Sequence, residues 1–210
     1  MSTGKRIRLN AIFRRGTGNT VIVAADHAGI AGPLPGIEDP HELVTACVTG
    51  CADGVLTTRG FAKAAGEAWD RGTALILRLT GGFTTLGGTF EEEVISTVQS
   101  ALLYGASAVA ATVKFGHERE GEFIRQASLL ADECERWGMP LLLEAMAAGT
   151  KTAASIGGKM ASLTVAARAA AEIGADIVKI RFNGDTDSFH RLVEGCTVPV
   201  LIAGGEYTAD

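Results

Sequence analysis

Short apolar runs alternate with amphipathic segments along most of the chain. The runs are rich in valine, isoleucine and leucine, and the segments between them repeat their apolar residues at helical spacing. This alternation is typical of parallel strands joined by helices. The runs predict β-strands at Thr20–His27, Gly54–Thr58, Ala74–Thr80, Ala108–Phe115, Pro140–Met146, Asp176–Phe182 and Pro199–Gly205. The segments predict helices at residues 39–51, 60–71, 90–104, 119–137, 159–173 and 186–194.

The two faces of the predicted strands differ in character. In the strand at Ala108–Phe115, Val113 belongs to a bulky apolar face and Lys114 to a face of small residues; in the next strand, Leu143 and Glu144 divide in the same way. A barrel whose active site opens at the carboxyl ends of its strands accommodates such inward charges. An open sheet covered by helices on both faces leaves little room for them. The pattern therefore predicts an α/β fold, a (β/α)8 TIM barrel.

The predicted strands fall one unit short of a complete barrel. A (β/α)8 barrel usually needs about 250 residues, whereas this chain has 210 and ends just after the seventh predicted strand. Without a seventh helix and an eighth βα unit, strands one and seven would have unpaired edges, which favour aggregation. We therefore expect residues 1–210 to be a single barrel domain truncated after strand seven, a fragment rather than a short form completed by another chain.

Composition and charge narrow the class of protein. Hydrophobic residues make up 47% of the chain, charged residues 20%, and the net charge is −5, which argues against nucleic acid or an anionic membrane as a partner. No apolar run approaches the ~18 residues of a transmembrane helix, and the basic N-terminus lacks the apolar core of a signal peptide. Cys47 and Cys51 lack a zinc-ligand pattern and are expected to be buried, reduced thiols. We expect a cytoplasmic protein, a homo-oligomer, without metal or cofactor.

Four charged residues are predicted to project into one pocket if the barrel closes. Asp26 ends strand one, Lys114 ends strand four, Glu144 lies on strand five and Lys179 on strand six. Buried charges are costly unless they pair, and such a cost is usually retained for function. The alternative interpretation is that each residue forms an inward salt bridge that fixes the register of its strand.

Lys179 is the predicted nucleophile of this pocket. Burial and the neighbouring Lys114 favour its neutral amine, which can attack a ketone and form an imine. The protonated imine withdraws electrons, so that an adjacent carbon–carbon bond can break or form. Glu144 is predicted to shuttle protons, and Lys114 to keep Glu144 ionised or bind a substrate oxygen. Asp26 is predicted to orient a hydroxyl or to tune the lysine.

Other residues are candidates for binding an anionic substrate. Gly204 and Gly205 follow strand seven and suit capture of a phosphate by backbone N–H groups, although a plain turn explains them equally well. Arg181 and Arg78 can bind a phosphate or carboxylate, or can pair with the carboxylates of the pocket. His117, in the loop after strand four, is a candidate substrate contact. The glycine-flanked loop after strand three is predicted to form a rim or lid.

A set of short motifs occurs in a fixed order along the chain. They are Val21–Gly29, Gly32-Pro33 with Gly36-Ile37, Leu79–Gly82, Trp137–Pro140, Gly174–Lys179, Gly184-Asp185 with Asp187–Phe189, and Pro199–Gly205. The set resembles the class I, or Schiff-base, aldolases of the DeoC/LacD and archaeal-type fructose-bisphosphate aldolase family, including aminodideoxy-heptulosonate synthases. This resemblance implies a barrel fold, a phosphorylated substrate, a Schiff base on Lys179 and an Asp26 that assists it.

One position departs from the pattern of that family. Its members typically carry a tyrosine as the acid–base group at the end of strand five, where this chain has Met146, which cannot transfer a proton. Glu144 with Lys114 resembles instead the tagatose-bisphosphate aldolase branch, so the acid–base role is assigned to Glu144. The expected substrate is a phosphorylated ketose or a ketone like dihydroxyacetone phosphate. Two alternatives remain: a thiolase relative that transfers an acyl group from a phosphoketone, and a non-catalytic barrel that binds phosphosugars.

Overall fold

The computed structural model describes residues 1–70, 72–87, 90–148, 156–182 and 184–204, with the backbone alone for 156–160. The strands are β1 (Ile22–Ala24), β2 (Gly54–Thr57), β3 (Ala74–Arg78), β4 (Thr80–Gly81), β5 (Glu93–Val94), β6 (Ala108–Phe115), β7 (Leu141–Ala147), β8 (Ile177–Arg181) and β9 (Val200–Ala203). The helices are α1 (Thr3–Ile12), α2 (Ala28–Ala31), α3 (Pro40–Thr49), α4 (Arg59–Ala65), α5 (Val98–Leu103), α6 (Glu120–Trp137), α7 (Ile156–Ile173) and α8 (Thr186–Gly195), and a 3₁₀ turn spans Gly66–Ala68.

Seven of these strands form one parallel sheet in the order β1-β2-β3-β6-β7-β8-β9, and β4 and β5 form a separate antiparallel pair. The chain divides into two compact units, Met1–Ala110 with Glu133–Pro140, and Ala111–Asp132 with Leu141–Asp210. In the first unit β1, β2, β3 and the start of β6 pair in parallel. In the second unit β7, β8 and β9 do the same. The predicted parallel α/β architecture is thus confirmed, whereas a single barrel domain over residues 1–210 stays a prediction.

Four helices of the first unit begin at residues whose side chains accept backbone N–H groups. Ser2, Asp39, Thr58 and Thr97 cap the first turns of α1, α3, α4 and α5 in this way. The apolar sides of α3 and α4 then pack with β2 in one buried cluster. It comprises Ala25, Val44, Cys47, Ala52, Val55, Phe61 and Ala65. Burial of these side chains supplies the main stabilising term for this unit.

The predicted helix at 90–104 is wrong in its first half. Residues 80–87 and 90–94 belong to a hairpin arm in which β4 and β5 pair, and the helix α5 begins only at Val98. The acidic run at Glu91–Glu93 suggests the first turn of a helix. It is followed, however, by two β-branched residues, and the N–H of Ile95 donates to the carbonyl of Leu79 at 2.8 Å. Extended pairing with the end of β3 therefore prevails over helix formation here.

Helix α1 was not predicted, because its sequence is basic and its apolar residues are few. Tertiary contacts stabilise it instead. Lys5 is 1% exposed and forms an ion pair with Glu135, and an Arg8 guanidinium N–H donates to the carbonyl of Gly138 at 3.0 Å. Gly138 itself has φ +59°, and a Cβ there would lie 2.9 Å from Ser2 Oγ. Glycine is thus required where the end of α6 meets the start of α1.

The cysteines follow the prediction in part. All four are free, and burial raises the pKa of the Cys47 thiol, which keeps it neutral and unreactive. The expectation that Cys51 is buried is wrong. It lies exposed in the turn after α3 with φ +56°, because the chain reverses there to enter β2. Within the described ranges no helix combines the length and the apolar character needed to cross a bilayer.

In the second unit, α7 packs against β7, β8 and α8. Gly174 ends α7 with φ +116°, and a Cβ at this position would lie 2.9 Å from the Ala131 Cβ. The glycine therefore lets the chain leave the helix and turn directly into β8. The predicted helix stop at Ile173-Gly174 is confirmed, and it determines where β8 begins.

Candidate functional site

The register of β7 and β8 is set by one carboxylate before β8 begins. Asp176 Oδ2 accepts the backbone N–H of Leu141 at 2.8 Å, and the N–H of Asp176 donates to the carbonyl of Leu141 at 2.8 Å. Each strand then runs in parallel from this clamp, so that Glu144 and Lys179 become direct register partners. A slip of one residue would turn either side chain to the opposite face of the sheet.

Asp176→Ala is therefore expected to lower the free energy of unfolding by about 1–3 kcal/mol, since it leaves the N–H of Leu141 without its acceptor. Urea unfolding followed by circular dichroism measures the change. Asp132→Ala, at an exposed carboxylate of α6, is the matched control and should change stability little. Equal midpoints for the two variants would show that the clamp does not stabilise the strand pair.

Lys179 and Glu144 form an ion pair across β7 and β8. Lys179 Nζ lies 2.9 Å from Glu144 Oε1, and the two side chains are 16% and 22% exposed. The second carboxylate oxygen of Glu144, Oε2, accepts a hydrogen bond from Thr112 Oγ1 at 3.3 Å. The carboxylate thus lies between a hydroxyl on β6 and an amine on β8. The sequence analysis placed Lys179 and Glu144 in one pocket without predicting this contact, and their roles in a reaction stay predictions.

The remaining predicted residues of the second unit lie around this pair or at its strand ends. Lys114 follows Thr112 by two positions on β6, hence on the same face, and is 3% exposed. Arg181 ends β8 with an exposed side chain and pairs in register with Ala203 of β9. Gly204 is exposed directly after β9, and Gly205 lies outside the described residues. The substrate-binding roles of these residues stay predictions.

His117 lies in the loop after β6 and is partly exposed. Its Nδ1 accepts the backbone N–H of Arg119 at 3.1 Å, and its ring packs edge-on against Phe123 with centroids 5.4 Å apart. With Nδ1 engaged as an acceptor, Nε2 is the ring atom left to contact a ligand. These two contacts hold the His117 ring in one orientation. Its contact with a substrate stays a prediction.

The first unit contains a second buried cluster of charges. Arg78 Nε and Nη2 both donate to Asp26 Oδ2, at 2.7 and 2.6 Å. On the other side of the guanidinium, Nη1 lies 3.9 Å from Glu92 Oε2, which accepts a hydrogen bond from Thr80 Oγ1 at 2.5 Å. The side chains of Asp26, Arg78 and Glu92 are 8%, 10% and 9% exposed. Arg78 was predicted either to bind an anionic substrate or to pair with a carboxylate of the protein, and pairing is observed.

Glu92 was missed by the sequence analysis because it fell within the wrongly predicted helix at 90–104. A charge that is buried at the end of a hairpin arm has no signature in local hydrophobic spacing. The signal that could have found it is the alternation of Arg78 and Thr80 on one face, which needs a polar partner when buried. That Asp26 shares a pocket with Lys179 stays a prediction.

Residues 20–210 match the family model described as DeoC/LacD family aldolase. This chain belongs to the DeoC/LacD aldolase family. The resemblance inferred from its motifs is thereby confirmed, and with it the membership of a class I aldolase family. The match covers all of the residues discussed above as candidate site residues.

Relatives of this family member carry different names. A protein of Archaeoglobus fulgidus named 2-amino-3,7-dideoxy-D-threo-hept-6-ulosonate synthase 1 is 33% identical over 202 residues, which cover 96% of this chain and 73% of the relative. A protein of Yersinia enterocolitica named 3-hydroxy-5-phosphonooxypentane-2,4-dione thiolase is 33% identical over 208 residues, 97% of this chain and 67% of the relative. Sequence similarity of this degree thus extends to two different activities.

Solved structures of Schiff-base aldolases share the fold. A Schiff-base-forming fructose-1,6-bisphosphate aldolase superposes with a TM-score of 0.85 at 30% identity, covering 98% of this chain and 82% of that one. An archaeal fructose-1,6-bisphosphate aldolase, whose catalytic lysine is covalently bound to the carbinolamine intermediate of its substrate, gives a TM-score of 0.83 at 29% identity, with the same shares of the two chains. The sheet and helices of this aldolase-family chain therefore match a (β/α) barrel fold as far as β9, the seventh strand of the parallel sheet.

The hairpin arm of this aldolase-family chain forms one wall of an open pocket in the first unit. The pocket has a volume of about 390 Å³ and is lined by Gly29, Gly82, Phe83, Thr84 and Gly87. The N–H of Thr85 donates to the carbonyl of Ile30 at 3.0 Å, which ties the arm to α2. The predicted rim after strand three is thus a hairpin; lid closure stays a prediction.

Proposed function

We propose that this chain is a Schiff-base aldolase in which Lys179 Nζ bonds to the carbonyl carbon of a phosphorylated ketose or a ketone like dihydroxyacetone phosphate. The observation that carries the proposal is the contact of Lys179 Nζ with Glu144 Oε1 at 2.9 Å. An amine nucleophile with a carboxylate in hydrogen-bond reach is the arrangement that imine chemistry needs. The names of the solved aldolases, which form a Schiff base or hold a lysine carbinolamine, support the same chemistry.

The ion pair accounts for the proton movements of imine formation. As an ammonium, Lys179 is no nucleophile, so its proton passes to Glu144 before the amine attacks the ketone. Glu144 then returns the proton to the carbinolamine hydroxyl, which leaves as water and yields the iminium. In the cleavage direction, the electrons of the broken carbon–carbon bond flow to the iminium and form an enamine. A base takes the proton of the hydroxyl that becomes the aldehyde, and Glu144 is the proposed base.

Several further residues are proposed to bind the substrate. Lys114 would hold Glu144 ionised or bind a substrate oxygen, because its ammonium is buried on the same face of β6 as Thr112. The exposed Arg181 and the backbone of Gly204 would bind a phosphate. A phosphorylated substrate is supported by the relatives' names, which include a bisphosphate and a phosphonooxy compound. The proposed role of Asp26, which is to assist Lys179, rests on the family resemblance.

Borohydride reduction in the presence of a ketone tests the proposal. Dihydroxyacetone phosphate and fructose 1,6-bisphosphate are suitable probes, and mass spectrometry of peptides locates the reduced adduct. We expect a stable mass increase on the peptide that contains Lys179. Binding of the same probe without any adduct would contradict the proposal and favour a non-catalytic phosphosugar-binding protein.

Thr112→Val is expected to slow adduct formation about tenfold, because it removes the hydroxyl that holds Glu144 Oε2 while keeping the shape of the side chain. Thr112→Ser keeps the hydroxyl and is the matched control, with a rate within about threefold of the wild-type value. The rate of borohydride trapping at fixed probe concentration is the measurement. A similar loss in both variants would mean that packing, not the hydrogen bond, is responsible.

A thiolase activity is the second candidate function, because the Yersinia relative with that name is 33% identical over 97% of this chain. It would transfer an acyl group from a phosphoketone to coenzyme A, without a retro-aldol product. Product formation that depends on coenzyme A, with no aldehyde released from fructose 1,6-bisphosphate, would replace the aldolase proposal. Release of aldehyde without coenzyme A supports the aldolase.

We also propose a cytoplasmic, homo-oligomeric enzyme. The absence of disulfides among the four cysteines, all of them free, is consistent with a reducing compartment. Sedimentation equilibrium at micromolar concentration measures the subunit number, and a monomer that turns over substrate would contradict the oligomer.

A further inference from the structure

The shared face of β7 and β8 opens progressively toward the carboxyl ends of the two strands. Its first pair of register partners, Leu142 and Ile177, is buried, at 1% and 0% exposed. The next pair, Glu144 and Lys179, is 22% and 16% exposed, and Met146, two positions further along β7, is 38% exposed. Because buried apolar side chains close the face below the reactive pair, a substrate reaches Lys179 and extends away from it on the side of Met146.

The backbone keeps Met146 on this face. β7 is extended through Ala147, so the side chain of Met146 projects on the same side as that of Glu144. Just past the strand, the N–H of Ala148 donates to the carbonyl of Phe115 at 2.9 Å, which ties this end of β7 to the end of β6. Two strand residues span about 7 Å, so Met146 stands next to the carbons that follow a group reacting at Glu144.

Two cations stand on the strands to either side of Met146. Lys114 lies on β6 and Arg181 on β8, each on the face that carries the pair of Glu144 and Lys179. Both cations suit the oxygens of an anionic group. The thioether of Met146 is apolar, adaptable in shape and only a weak acceptor of hydrogen bonds. It is therefore the part of this rim that suits the carbon chain of a substrate.

The aldol direction of the reaction determines which part of the substrate meets Met146. After the iminium of the donor ketone has lost a C–H proton to Glu144, the resulting enamine carbon attacks the carbonyl carbon of an aldehyde, and a carbon–carbon bond forms. Glu144 returns the proton to the aldehyde oxygen, and water hydrolyses the new iminium, which releases the product and the amine of Lys179. The aldehyde thus approaches with its oxygen at Glu144, and its remaining carbons lie toward Met146.

We propose that Met146 selects the acceptor aldehyde, in favour of one whose second carbon carries an apolar group rather than a hydroxyl. A hydroxyl placed against the thioether gives up its hydrogen bonds to water for a weak acceptor, whereas a methyl group gains apolar contact. This inference rests on the proposed function, because it needs an enamine at Lys179. It names the class of acceptor, which the proposed function leaves open.

The test compares propanal with glycolaldehyde, which carry a methyl group and a hydroxyl group, respectively, at the same position. Each aldehyde is added together with dihydroxyacetone phosphate, and kcat/KM for the aldehyde is measured from the ketose formed. We expect the wild-type protein to favour propanal about tenfold, the scale at which one apolar group is discriminated in a pocket.

Substitutions of Met146 show whether this residue sets the preference. Met146→Gln keeps the length of the side chain but makes it polar, and should bring the ratio of the two kcat/KM values to about one. Met146→Leu stays apolar and should keep the preference for propanal. Leu129→Gln is the matched control, because Leu129 is an apolar residue of α6 that is 58% exposed, and its ratio should equal that of the wild type. A wild-type preference for glycolaldehyde would overturn the inference, as would an unchanged ratio in Met146→Gln or a lost preference in Met146→Leu.

Borohydride trapping of dihydroxyacetone phosphate separates failure of the inference from failure of the proposed function. If the wild-type protein gives no adduct at Lys179, the proposed function fails and the inference with it. If it gives an adduct but converts neither aldehyde, or if the ratio does not respond to Met146, only the inference fails. Because the ratio compares two aldehydes in the same variant, a partial loss of folded protein cancels. Should Met146→Gln not fold, Met146→Asn is the second polar variant, and it should lose the preference in the same way.

Discussion

Lys179→Arg is expected to abolish adduct formation and to lower turnover by on the order of 10⁴-fold or more, the scale of losing a covalent nucleophile. The guanidinium stays protonated and cannot attack a carbonyl. It nevertheless keeps a positive charge next to Glu144, whose Oε1 is 2.9 Å from the native amine. The substitution therefore removes the nucleophile while the electrostatics of the pair persist. Trapping with borohydride and steady-state turnover are the two measurements.

Two further variants make this result specific. Lys63→Arg, at an exposed position of α4, is the control for lysine replacement and should trap the probe like the wild-type protein. Lys179→Met removes the ammonium that lies 2.9 Å from Glu144 Oε1, so it should lose folding stability as well as activity. An adduct that persists in Lys179→Arg would refute the assignment, and its position would show whether Lys114 is the nucleophile instead.

The central strands could be predicted from the sequence because their apolar runs favour buried strands. β6 is buried along its whole length and has the observed bounds Ala108–Phe115, as predicted. Both ends of β7 and both ends of β8 differ from the predicted bounds by one residue. The strands begin one residue later than predicted, because Pro140 and Asp176 belong to the preceding turns. Because Glu144 and Lys179 each stand three positions after the clamp of Asp176 and Leu141, their contact followed from correct strand placement.

The cluster around Asp26 could not be read in the same way. Arg78 and Asp26 are 52 positions apart, and a local pattern does not distinguish an arginine that awaits a phosphate from one that is already paired. Glu92 depends on the hairpin arm, whose formation was decided by tertiary hydrogen bonds such as that of Ile95 with Leu79. Such contacts override local propensity, so the prediction failed at the residue that completes the cluster.

Arg78→Met is expected to lower the free energy of unfolding by about 3–5 kcal/mol, the cost of breaking a buried ion pair from one side. Methionine fills a similar volume, so the main loss is electrostatic. Asp26 and Glu92, 8% and 9% exposed, are left without the guanidinium between them. Urea unfolding, with both midpoint and slope analysed, measures the loss.

A second substitution shows whether that loss comes from the orphaned carboxylates. Asp26→Asn combined with Arg78→Met removes one of the two uncompensated charges. The double variant should therefore lose less free energy of unfolding than the two single variants lose in sum. Arg14→Met is the control, because Arg14 is about half exposed in its pair with Asp53 and solvent screens that interaction. Its loss should be much smaller. Strict additivity in the cycle would mean that packing around Arg78, rather than its charge, stabilises this end of the sheet.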